Sequence, residues 1–152
     1  MFKPADLFDL TQTEHAAIFD GCQFAWEALK KIEPYIAANL KPALHNKCEG
    51  RAFIGKKVFI GAGTVIEDGV MIKGPAIIGK NCQIRHNAYF RENVIIGDGA
   101  EAGCNAVLNP GSILGCGAVI YPNVFWRGIL PANTIAKNKA EIEVVVKRPR
   151  EI

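Results

Sequence analysis

Three histidines, His15, His45 and His86, are the candidates for a neutral-pH general base in this 152-residue chain. Transfer of an acyl group from a thioester to an amine or hydroxyl needs such a base within hydrogen-bond reach of the acceptor, and a donor for the oxyanion. His86 has Asp68 and Cys104 at eighteen-residue intervals on either side. An acidic neighbour can orient and charge an imidazole. His15 instead falls on an apolar stripe and reads as a packing residue, whereas His45 sits in a connector with no evident partner. Two cationic positions, Lys73 and Arg91, are also eighteen apart, as are Glu67 and Arg85.

These residues are embedded in a six-residue repeat. A large aliphatic or an approximate substitute recurs at Ile54, Ile60, Ile66, Ile72, Ile78, Ile84, Phe90, Ile96, Ala102, Leu108, Leu114, Ile120 and Trp126. Four residues after each of the first twelve comes a small or β-branched residue, from Val58 and Thr64 to Ala118 and Val124. Two inward positions per six residues is strand spacing with a corner between strands. Ten of the twelve positions three residues after a guide residue are Gly or Asn, the types that enter left-handed backbone most easily. Such hexads predict a parallel β-helix, which needs stacked neighbours and a cap at each end. A weaker hexad, Cys48 to Phe53 with Ala52 inward, extends the run backwards.

The ends differ. Thr11 and Glu14 form a capping-box pattern, and His15, Ile18, Cys22, Phe24/Ala25, Leu29, Ile32 and Ile36 recur at helical steps. An amphipathic helix over residues 12 to 33 is expected, with Gly21 weakening it, Pro34 ending it and a short second helix before Pro42. Its stripe would cap the first coil or pack on helices of other copies. Gly128 and Pro131 are expected to end the hexad rhythm. Beyond them Ile142, Val144 and Val146 alternate like a strand, with Lys147, Arg148 and Arg150 exposed. The expected organisation is a helical segment at 1–47, a β-helix at 48–136 and a tail at 137–152.

Composition narrows the function. The net charge of +3 includes no Lys/Arg run, which argues against a nucleic-acid partner. Neither a signal-like apolar segment nor a membrane-length apolar stretch is present, so no membrane association is expected. Five cysteines without metal-ligand spacing suggest a reduced, cytoplasmic protein and no metal site.

The segments Gly74-Pro75-Ala76-Ile77-Ile78-Gly79, Ile84 to Asp98, Leu108 to Ser112 and Tyr121 to Ile135 resemble the left-handed β-helix acyltransferases. Within that class the chain is similar to the acetyltransferase domain of sugar-1-phosphate nucleotidylyltransferases of the UDP-N-acetylglucosamine diphosphorylase/glucosamine-1-phosphate N-acetyltransferase type. Asp9 to His15 and Trp26 to Leu29 resemble its linker helix. Two departures stand out. These residues hold no nucleotidylyltransferase domain, and the coil on which the family carries a catalytic His and an Asn-Tyr pair has no counterpart, because Gly99 runs directly into Asn105 and Leu108.

The resemblance implies a mainly β fold: a left-handed parallel β-helix of about four coils, three hexads to a coil, with residues eighteen apart stacked at about 4.8 Å. Asp68, His86 and Cys104 then form one surface column, either a general base with neighbours or an ordinary ladder contact. Arg85 stacks over Glu67 as an exposed ion pair worth under about 1 kcal/mol. Lys73 and Arg91 form a like-charged column that either holds an anion, such as a phosphate of coenzyme A or of a sugar phosphate, or splays into water. The resemblance further implies acetyl-CoA or another acyl-CoA as donor, a sugar phosphate or nucleotide-sugar acceptor in envelope-precursor metabolism, and a homotrimer whose contacts would cover Tyr89, Tyr121, Phe125 and Trp126. The expected site is therefore catalytic His86, with Arg85, Arg91, Lys73 and Asp68 in binding roles. The alternatives are a trimeric assembly module without chemistry and a γ-type carbonic anhydrase, for which one solenoid histidine is a poor zinc set.

Overall fold

The computed structural model describes residues 1–39, 47–48 and 50–139. His45 and the strand expected around Ile142, Val144 and Val146 lie outside the described residues. The middle of the chain winds as a three-walled parallel β-solenoid of about five turns. Wall one stacks Lys47–Cys48, Val65–Ile66, Gln83–Ile84, Glu101–Ala102, Val119–Ile120 and Ile135–Ala136. Wall two stacks Phe53–Ile54, Met71–Ile72, Tyr89–Phe90, Val107–Leu108 and Phe125–Trp126. Wall three stacks Val58–Ile60, Ala76–Ile78, Val94–Ile96, Ile113–Leu114 and Ile129–Leu130.

The eighteen-residue register holds along most of the stack, as in Ile54↔Ile72↔Phe90↔Leu108↔Trp126. Cys48 pairs with Ile66, so the weak hexad does extend the stack. All twelve small or β-branched inward residues are buried, from Val58 to Val124. Thr64 is tolerated there because its hydroxyl donates to the Gly79 carbonyl (2.8 Å) and accepts from the Cys82 N–H (3.0 Å). All ten Gly and Asn corners have positive φ, from 54° at Asn81 to 83° at Gly111. Of the two hexads lacking Gly or Asn there, one turns at Lys57 (φ 60°), and in the other Gly74 (φ 72°) turns just before Pro75.

The final turn departs from expectation. Gly128 and Pro131 do not end the stack: Ile113 pairs with Ile129 and Val119 with Ile135, a spacing of sixteen. Two residues are lost at the corner around Gly128 (φ 104°), a conformation open to glycine. The hexad count then resumes, with Asn133 taking the left-handed corner (φ 55°). Trp126, the thirteenth guide residue and also one of the aromatics expected to need cover, packs partly against the core and donates its indole N–H to the Gly128 carbonyl (3.1 Å).

The single helix expected over 12 to 33 is replaced by a bent strap. Two 3-10 turns, Ala16–Phe19 and Ala25–Lys31, are separated by Gly21 in left-handed backbone (φ 72°), and an α-helix follows at Ile32–Asn39. Pro34 sits in the first turn of that helix, where its missing N–H has no intrahelical partner to lose. Thr11 does not cap a helix; its hydroxyl donates to the Asp9 carboxylate (2.7 Å). The strap lies along the outer side of wall three and not over the first coil. Its Ile18, Phe19, Ala25, Ala28, Ile32 and Ile36 bury the outward column Phe59, Ile77, Ile95 and Ile113. Apolar contact with the wall overrides helical periodicity, which is a weak local preference. Burying each large member of that column is worth about 1.5–3 kcal/mol.

Candidate functional site

Each turn leaves wall one through the same corner, and that corner gathers Glu67, Asp68, Arg85, His86 and Cys104. Arg85 is the hinge of the cluster. Its Nη1 donates to Glu67 Oε1 (2.9 Å) and its Nε to Glu101 Oε1 (2.8 Å), so one guanidinium clamps three successive rungs. Glu67 completes the link by accepting the His86 backbone N–H on its other oxygen (2.8 Å). The Arg85 hydrogen bond, and then the His86 amide, hold the Glu67 carboxyl below the usual carboxylate range. The two glutamates reciprocally raise the Arg85 guanidinium, Glu101 first.

His86 is exposed, and among the described residues its ring has no hydrogen-bond partner. Asp68, one rung below, turns the other way: its Oδ1 accepts the Arg51 backbone N–H (2.6 Å). Cys104 lies one rung above, its rung joined to that of His86 by the Asn105 N–H donating to the His86 carbonyl (3.0 Å). Beside this column runs an open groove of about 440 Å³, walled by Glu67, Arg85, Glu101 and Cys104 and closed by Tyr121 and Pro122. The groove exists because Gly103 occupies the column position that carries Glu67, Arg85 and Tyr121 on other rungs. A Cβ there would lie 2.5 Å from the Pro122 nitrogen.

Lys73 and Arg91 sit at a different corner, the one after wall two, so the expected site residues form two clusters. Their mutual repulsion is relieved from within the chain. Glu92 lies 3.9 Å from Lys73 Nζ and 3.8 Å from Arg91 Nε through its two oxygens. Lys73 also reaches over the Tyr89 ring, 5.7 Å from its centroid. Tyr89 first, then Glu92, raise its pKa. The Nε of Arg91 is buried without a hydrogen-bond partner.

Sequence reasoning paired Arg85 with Glu67 but missed Glu101, Glu92 and the groove. Glu101 precedes an inward Ala one rung up, within reach of a long side chain leaning across strands. Glu92 is adjacent to Arg91, and an i to i+1 pair at a corner does not share a strand face. Among the described residues, no three His, Cys, Asp or Glu side chains are grouped to hold a metal ion. No helix there is long and apolar enough to cross a membrane.

The family model for the GMPPB C-terminal domain matches residues 43–145, which include every strand from Lys47 to Ala136. The chain belongs to that family. It is the left-handed β-helix domain of GlmU-like enzymes. The bifunctional protein GlmU of Alkaliphilus oremlandii is 45% identical over 49 residues, 32% of this chain and 10% of GlmU. The chain thus spans about one tenth of that relative. Among solved structures, the acetyltransferase domain of PglB from Neisseria gonorrhoeae overlaps 83% of this chain and 76% of its own, at 21% identity and a TM-score of 0.32. The same domain in complex with acetyl coenzyme A overlaps 68% of this chain and 59% of its own, at 19% identity and a TM-score of 0.26.

Proposed function

We propose that this GMPPB C-terminal domain family member is an acyl-CoA-dependent acyltransferase acting on a sugar phosphate or nucleotide-sugar, assembled as a homotrimer. The observation that carries the reading is an exposed, unengaged imidazole, His86, adjoining a groove of about 440 Å³ through its chain neighbour Arg85 and its rung neighbour Cys104. That volume suits a small ligand, and the groove mixes carboxylates, a guanidinium and an aromatic ring. The bare column of wall two supports assembly: Phe53 is 56% exposed and Phe125 is 74% exposed, with Met71, Tyr89 and Val107 between them.

The Lys73/Arg91 corner fits the phosphate end of a coenzyme A: two cations against one carboxylate leave it net positive. When bound, the donor supplies a thioester-activated acyl group. In the transfer, the acceptor nitrogen or oxygen bonds to the acyl carbon as the carbon–sulfur bond breaks. His86 takes the proton leaving the acceptor, and the thiolate departs. Arg85, clamped by its two glutamates, fixes the corner on which His86 stands. Asp68 acts through the backbone, tying the Arg51 turn beneath it.

General-base catalysis contributes 10²- to 10⁴-fold, so His86→Ala should lower the rate of thiol release by at least about 100-fold with little change in acyl-CoA affinity. Calorimetry with acetyl-CoA and a thiol-release assay over a panel of amino sugars and sugar phosphates test this. Absence of any acetyl-CoA binding at millimolar concentration would sink the proposal. The second reading, an assembly module without chemistry, is favoured by one observation: the Asp68 carboxylate is committed to Arg51 and does not orient His86. It expects His86→Ala to leave every property unchanged.

A further inference from the structure

Beneath the strap lies a histidine that the proposed chemistry does not use. His15 is 4% exposed and wedged between strap and wall, its ring 4.2 Å from that of Phe59 on wall three and 5.9 Å from Tyr35 on the Ile32–Asn39 helix, both edge to face. The Tyr35 hydroxyl meets Nδ1 at 3.5 Å. Nε2 is buried with no partner and borders a small cavity lined by Phe8, Thr13, Ile18, Phe19, Ile77 and Ile95. A neutral imidazole can leave Nε2 as a bare lone pair in such a place at modest cost. A protonated ring must put an N–H and a charge there, and an unpaired buried charge is far more costly.

We propose that His15 is an acid-sensitive latch: while neutral it holds the N-terminal strap on wall three, and on protonation the strap lifts and bares the apolar column Phe59, Ile77, Ile95 and Ile113. The charged groups around it do not rescue the proton. Glu14 and Asp98 favour it, but Glu14 faces Lys80 at 3.5 Å and Asp98 accepts the Lys80 backbone N–H (2.8 Å). Burial is the largest influence and Lys80 adds to it, and together they outweigh Glu14 and Asp98, lowering the His15 pKa. Tyr35 is held above its ordinary range, first by burial, and stays neutral across the same interval. With the docked pKa lowered, docking is strongest above the ordinary histidine value of about 6.5 and weakens as pH falls through it, until the docked pKa is passed. Carboxylates ordinarily titrate near 4, well below the pH of about 6.5 at which the weakening begins.

Amide exchange read by mass spectrometry over residues 12–36, corrected for intrinsic rates, tests the latch at pH 7.5 and pH 5.0. In the unmodified protein, strap protection should drop at least tenfold at pH 5.0 while wall strands such as Val94–Ile96 keep theirs. His15→Phe, which cannot titrate, should hold its protection at both values. His15→Gln serves as the polar, non-titrating check should the larger ring disturb packing. Unchanged strap protection in the parent, or an equal loss in both variants, would overturn the latch.

Discussion

Where successive turns meet after wall three, Gly61, Gly79, Gly97 and Gly115 stack in one column, and the effect of adding a methyl group there can be worked out. A Cβ on Gly97 would lie 2.6 Å from the Cys116 nitrogen and 2.8 Å from the Gly115 carbonyl carbon, both backbone atoms that no side-chain rotation relieves. Separating the rungs strains the bonds on either side, Gly97 N–H to Leu114 O (2.8 Å) and Gly117 N–H to Asp98 O (2.9 Å). Overpacking contributes about 1–3 kcal/mol. The two ladder bonds add about 1 kcal/mol each. The less flexible unfolded chain returns about 0.4–1 kcal/mol. Gly97→Ala should therefore destabilise the domain by about 2–5 kcal/mol, a large share of the 5–15 kcal/mol typical of a folded domain. The control lies two residues on. Gly99 has open space around its Cβ position but a φ of 68°, and Asn81 occupies the same corner one rung below. Gly99→Asn should fall within about 0.5 kcal/mol of the parent, since Asn tolerates left-handed backbone. Urea midpoints and slopes followed by the fluorescence of Trp26 and Trp126 together and by far-ultraviolet circular dichroism measure both. If Gly97→Ala proves no less stable than Gly99→Asn, close backbone approach is not what that column protects.

Two more outcomes follow from the described contacts. The Glu67 carboxyl should titrate below about 4.3 in carbon-detected NMR and return toward that value in Arg85→Met. Because its pKa is depressed in the fold, its contribution to stability is present above the unfolded value and lost as pH falls through the folded one. Burial pushes the Cys82 thiol up to about 11, so at pH 8 iodoacetamide should leave it unmodified in the native protein while labelling the partly exposed Cys104 and Cys116. Native-state labelling of Cys82 at a comparable rate would contradict the inward column.

The solenoid was legible because its repeat is enforced at every rung: an inward residue, a small partner and a left-handed corner each leave a recognisable residue type. The strap was not, since its conformation answers to the surface it covers. Yet a trace of that surface stood in the sequence: Phe59, Ile77, Ile95 and Ile113 are apolar at the outward position of wall three, where a bare wall would carry polar side chains. Of the candidate site, Arg85 over Glu67 followed from the hexad spacing together with the three-hexad coil that the resemblance implied. The Glu101 and Glu92 contacts depend on how far long side chains lean between rungs, and the direction of Asp68 depends on the turn around Arg51. Neither is written in an eighteen-residue count.

An open-ended stack of parallel strands offers unpaired amides and carbonyls at its last rung, an invitation for a further copy to continue the spiral. Here the last described turn has a perimeter two residues shorter than those before it. An incoming copy with an ordinary first turn would find its edges out of step with that smaller triangle, and could satisfy one side only by abandoning another. Among the described residues, the shortened turn is therefore a poorer template for an ordinary eighteen-residue turn than any rung before it.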